Sequence, residues 1–259
     1  MSTTLHGART RRVRPQSVAT LVAAGALGAW IVTVARMRGM DMGPGTDLGA
    51  LWFFLGIWVT MMAAMMLPSV LPMVRLFGRV TEGRDPARGM LGPTVVFVAG
   101  YLAVWTAFGL AAFGLARLVR DAAPAFLSWD EHGPLVAGGA LVAAGAYQLT
   151  PLKRLCLRHC RSPLSFVLGH WRDGGLGAIR MGATHGAYCV GCCAGLMLIL
   201  FALGVMSLLW MAIVAALVFA EKVVPGGERL SAVVAVALAA AGIWIAADPG
   251  SFPGLVQPT

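Results

Sequence analysis

Lys, Arg, Asp and Glu are absent from six long stretches of the chain, 15–35, 48–74, 89–116, 132–152, 181–220 and 230–247. A helix that crosses a bilayer needs about 20 mainly apolar residues, because its backbone groups find no water and must bond within the helix. Five of the stretches are one span each. The stretch 181–220 would be about 60 Å long as a single helix, so it has to turn back, near Gly204–Val205. The pattern therefore predicts an all-α, multi-pass transmembrane helical bundle of about seven helices. Their expected ranges are 17–35, 48–74, 92–117, 133–151, 183–203, 206–221 and 230–247. The charge-free run from Ser162 to Trp171 is too short to cross and reads as a segment of the cytoplasmic loop 152–182 that lies at the interface or dips in and returns. No stretch between spans is long enough for a soluble domain, so residues 1–259 read as one integral membrane domain.

Composition agrees with that pattern. Charged residues make up 12% of the chain, about half the usual share of a soluble protein, while 58% are hydrophobic. A soluble enzyme domain, a disordered chain and a disulfide-rich secreted module are excluded. Arg9, Arg11, Arg12 and Arg14 precede the first apolar run in the manner of a signal peptide. That run is long, however, and Thr33-Val34-Ala35 beside Arg36 is a poor cleavage site, so an uncleaved first helix is expected. The basic residues orient the chain. With seven helices, 16 Lys and Arg fall on one side and 4 on the other, which places the N-terminus inside and the C-terminus outside. The net charge of +9 is then a topology signal, and nucleic acid is not an expected partner.

Polar and soft residues within apolar helices carry the candidate chemistry. The run from Ala183 to Cys193 holds His185, Cys189, Cys192 and Cys193. At about 100° per residue, the first three lie within roughly 60° of arc and Cys193 near its edge. An imidazole and two or three thiols on one stripe suit a soft or borderline metal, although small residues such as Cys, Gly and Ala also let helices approach closely. Counted from the expected inner end of that helix, the thiols lie about 9–15 Å deep. Cys156 and Cys160, with Lys153 and His159, form a second group in the basic loop, spaced to share one helical face. The five cysteines all fall at the reducing side or in the inner half of the membrane, which argues against structural disulfides. The second span has two i, i+4 thioether pairs, Met61/Met65 and Met62/Met66, at a depth similar to that of the thiols, with Pro68 and Pro72 expected to kink or end the helix just below. Met37, Met40, Asp41 and Met42 add soft ligands in the preceding loop. Glu221-Lys222 closes the sixth helix and reads as an ion pair with its neighbours at the interface.

These residues resemble a bacterial family of predicted metal-binding integral membrane proteins. The resemblance rests on Trp58, Met61, Met65-Met66 and Pro68, then on Lys153, Cys156, Cys160-Arg161 and Pro163. It is densest at His185-Gly186, Tyr188-Cys189 and Gly191-Cys192-Cys193, and continues through Met197, Gly204, Met206, Trp210-Met211 and Glu221-Lys222. Where that family usually has an aromatic residue after the double cysteine, this chain has Ala194. The resemblance implies metal binding and a bacterial cytoplasmic (inner) membrane location, and supplies no reaction. The expected ligands are His185, Cys189, Cys192, Cys193, Met61, Met65, Cys156 and Cys160. Thiolate with thioether favours copper(I), with zinc as the second candidate. The expected function is binding of Cu(I) in copper acquisition, delivery or homeostasis, without enzymatic activity. Lipid, the metal ion, and other membrane subunits or a metallochaperone are the expected partners. A thiol or haem-linked redox protein and a structural subunit of a larger complex are the competing readings. Adjacent cysteines make strained disulfides, which weighs against the former.

Overall fold

The computed structural model describes residues 15–38, 49–85, 90–122, 132–203 and 207–251. Among the described residues there are nine α-helices and no strand. They are α1 (Pro15–Met37), α2 (Leu51–Arg84), α3 (Leu91–Ala122), α4 (Gly133–Gln148), α5 (Pro151–Arg161), α6 (Pro163–His170), α7 (Gly174–Leu203), α8 (Leu208–Val223) and α9 (Gly227–Ala247). A short 3-10 turn, Pro249–Ser251, follows. The all-α expectation holds. By length and composition alone, α1, α2, α3, α7 and α9 suffice to cross a membrane, and α4 with α5 forms a further pair bent by 64°. At 16 residues, or about 24 Å, α8 is shorter than the usual hydrocarbon thickness.

Besides α3, which runs on to Ala122, three stretches differ most from expectation. The loop expected over 152–182 is mostly helical. Thr150 caps α5 by accepting a hydrogen bond from the Lys153 backbone N–H at 3.3 Å, and Pro151 supplies the first helical residue. The segment Pro163–His170 is a second short helix. The helix expected from 183 starts instead at Gly174, whose positive φ of 80° makes the turn out of the preceding segment. Arg180 does not end it, because its side chain is on the exposed face. The thiols thus lie about 22–28 Å along α7 from its start, not 9–15 Å. Finally, α2 passes through Pro68 and Pro72 and runs on to Arg84 instead of ending near 74. Beside the first proline, Ser69 Oγ donates to the Met66 carbonyl at 2.9 Å, and a proline within a membrane-type helix is tolerated where such local donors meet the freed carbonyls. The turn expected at Gly204–Val205 and the run Met40, Asp41 and Met42 lie outside the described residues.

The helices pack in pairs, α1 on α2, α3 on α7 and α4 on α9, with α4, α5 and α8 also against α7 and α2 against α3 and α8. Small residues set the close crossings. A β-carbon on Gly242 of α9 would stand 2.5 Å from the Gly138 carbonyl oxygen of α4. The core centres on Phe54, Trp58, Met61, Met62, Met65 and Met66 of α2, all buried, against Phe97, Tyr101 and Trp105 of α3. Outward faces are apolar too, with Leu27, Ile31, Trp52, Leu115, Leu118, Val236 and Ile243 exposed.

Candidate metal centre

Glycines on α7 bring the neighbouring helices onto the thiols. A β-carbon on Gly186 would stand 3.0 Å from the Tyr101 carbonyl oxygen, and one on Gly191 would stand 2.6 Å from Cys156 Sγ. A side chain at either position would push against the α3 backbone or displace the Cys156 side chain. Between them Cys189, Cys192 and Cys193 are buried, and their sulfurs all lie within 4.8 Å of one another. The Cys192 and Cys193 sulfurs are 3.4 Å apart, and Cys160 on α5 brings a fourth sulfur to 3.7 Å from Cys192. The two cysteine groups that look separate along the chain are therefore adjacent in space. Cys156, one turn before Cys160 on α5, packs against Gly191, and the five cysteines are free thiols.

Cys189 carries the polar contacts. The Tyr101 hydroxyl lies 2.9 Å from its sulfur, and the Lys222 ammonium donates to the same sulfur at 2.9 Å and to Ser69 Oγ at 3.2 Å. Lys222 thus ties α8 to α7 and α2 in one contact. Glu221, its neighbour in sequence, faces a different partner. Its carboxylate accepts from Lys153 Nζ at 2.6 Å and from Gln148 Nε2 at 3.0 Å, all three side chains being buried. Lys153 also donates to Gln148 Oε1, and Arg161 donates to the backbone carbonyls of Glu221 and of Val224. The ion pair expected of Glu221 exists, but it is buried and joins α5 to α8, while Lys222 belongs to the thiols.

His185 is buried beside the thiols but stands outside the group of three within 4.8 Å. Its Nδ1 has no hydrogen-bond partner, and its ring lies 5.1 Å edge-on to Phe166 and 6.0 Å from Tyr101. Met61 and Met65 are buried in α2, the helix that supplies Ser69 to Lys222. Met65 and Ser69, four residues apart, share a face. Tyr101 and Ser69 are parts of the site that the sequence reading missed. A hydroxyl in the middle of an apolar helix was the available signal, and only packing shows which sulfur or amine it meets.

The donor set fits a soft ion. Metal–thiolate bonds of about 2.3 Å, the zinc value, let one ion join sulfurs up to about 4.6 Å apart, close to the spread found here. An imidazole nitrogen left without a partner in an apolar interior is a second ligand-like feature. Fold and site together define an apolar α-helical bundle with a buried multi-thiol centre of the kind that binds soft metals. The chain belongs to the PpoB2 copper chaperone family, whose model matches residues 55–245. That match covers α3 to α8 entirely and all the thiols. Comparison with curated proteins and with solved structures returns no match. Family membership and the three-thiol cluster together support copper-related metal binding.

Proposed function

We propose that this chain is an integral protein of a bacterial cytoplasmic membrane that takes Cu(I) as cargo and passes it to an acceptor, without catalysing a reaction. The observation that carries this reading is the cluster of Cys189, Cys192 and Cys193, with Cys160 in reach, inside an apolar bundle. Buried thiolates are costly unless a cation neutralises them, and a monovalent soft ion is satisfied by two or three sulfurs. Cys189 and Cys192 are the primary ligands. Cys193, Cys160, His185 and the α2 thioethers Met61 and Met65 are the further donors, and Cys156 positions α5. The ion would move by exchange among these sulfurs, with a metallochaperone or another membrane subunit as donor or acceptor.

Exposed apolar faces on α1, α3 and α9 support insertion in lipid. The seven-span order, N-terminus inside, is supported by contacts at the two ends of the bundle. At one end Arg84 lies 3.8 Å from Asp173, and Arg158 pairs with Glu228 at 2.8 Å, which gathers three basic segments. At the other, Arg117 donates to the Gly49 carbonyl at 3.1 Å.

Anaerobic purification in detergent followed by elemental analysis and copper X-ray absorption tests the reading. Stoichiometric Cu(I) with sulfur ligation is expected. Cys189→Ser combined with Cys192→Ser should abolish it while the protein still inserts and stays helical. Zinc in place of copper, or full copper in the double variant, overturns the assignment.

A further inference from the structure

A second line of donors leads away from the thiols. Met181, His185, Cys189 and Cys192 recur on α7 at spacings that confine them to about 80° of arc, and all four are buried. Two turns, about 12 Å, separate Met181 from Cys189, with His185 midway. At the Met181 end lies a cavity of about 290 Å³, lined by Gly169, His170, Trp171, Arg172, Met181 and Thr184. Met181 Sδ accepts from the Arg172 backbone N–H at 3.4 Å, so the thioether is fixed at the cavity wall.

Two imidazoles flank one aromatic ring between this cavity and the metal centre. His170 stacks on Phe166 at 4.7 Å, and His185 meets the same ring edge-on at 5.1 Å. His170 Nδ1 donates to the Phe166 carbonyl at 3.2 Å, which leaves Nε2 as the basic, ligand-capable nitrogen. His185 Nδ1 is buried and unpartnered. Thioether and neutral imidazole bind Cu(I) without adding charge, and hold it less tightly than a thiolate. Placed in this order they form a graded path, with neutral donors at the cavity and anionic ones at the end.

Resting on the copper-cargo reading, we propose that this cavity is the port through which Cu(I) reaches and leaves the thiol centre, with His170 and Met181 as its first ligands and His185 as the relay. The other way to the thiols runs past Cys160, which is partly exposed and 3.7 Å from Cys192. The two routes predict different kinetics.

Full-length protein loaded with Cu(I) is mixed with bathocuproine disulfonate, a water-soluble Cu(I) chelator, and the rate of copper removal is followed by absorbance. Met181→Leu conserves volume, and Met181→Cys restores a soft donor. In Met181→Leu and in His170→Phe, removal should slow about tenfold or more, a barrier effect, while copper per chain and equilibrium affinity stay within about threefold. Met181→Cys should recover most of the rate, which a folding defect would not allow. Unchanged rates in both variants, slowing matched by an equal gain in affinity, or slowing only in Cys160→Ser would overturn the port. Failure of the wild type to hold copper at all is a separate result, and it overturns the copper-cargo reading itself.

Discussion

Lys222 shows how much one residue's neighbours decide. A lysine inside an apolar bundle is costly, and here its ammonium is matched by the Cys189 sulfur and the Ser69 hydroxyl. In the proposed complex two thiolates with one Cu(I) would carry a net charge of −1, and the ammonium beside them would bring the buried site to neutrality. Lys222→Met should therefore weaken Cu(I) binding by about tenfold or more, since one uncompensated charge in a low-dielectric site costs more than the 1.4 kcal/mol that tenfold represents. Lys222→Arg, which keeps the charge, should lose less. Competition titration against a Cu(I) chelator gives both values, and equal affinity in Lys222→Met would show that the ammonium is not the counter-charge.

At the scale of elements, α5 brings Cys160 to the thiols of α7, α3 and α8 bring Tyr101 and Lys222, and α2 brings Ser69 to Lys222. The bend between α4 and α5 is held by Gln148, Lys153 and Glu221, a buried polar group that locks α8 to both. Lys153→Met would leave the Glu221 carboxylate buried with one neutral donor, a loss of about 3–5 kcal/mol. Thermal melting in detergent should show a clear fall, and adding Glu221→Gln should recover part of it. Because α5 carries Cys156 and Cys160, the single variant should also disturb the thiol centre. On α2, replacing both Met61 and Met65 by Leu conserves volume and should cost under about 1.5 kcal/mol each, while Cu(I) affinity falls. Unchanged affinity in that pair would leave the two methionines as packing residues only.

For the whole molecule, the proposed orientation rests on the distribution of basic residues along the chain. Single cysteines at positions 84 and 173, on a background without reactive native thiols, should label from the cytoplasmic side only, since Arg84 and Asp173 lie 3.8 Å apart at the same end. Labelling of either from outside would reverse the proposed orientation, and labelling of the two from opposite sides would contradict the packing itself.

The local sequence determined that the chain is helical and apolar, because charge-free runs of more than about 17 residues leave few alternatives. It also determined that His185, Cys189 and Cys192 share a stripe, because helical spacing is a local property. Helix ends were less legible. Pro68, Pro72 and Arg180 read as boundaries, yet the helices run through all three, and the Arg180 charge faces outward. Only the tertiary structure decided that Cys160 meets Cys192, that Glu221 and Lys222 part company, and that Tyr101 and Ser69 join the neighbourhood of Cys189 and Lys222. Those contacts join residues from 32 to 153 positions apart, and the glycines that permit them act through the absence of a side chain. A missing β-carbon shows what a helix allows to approach it, and only the packed bundle shows what does.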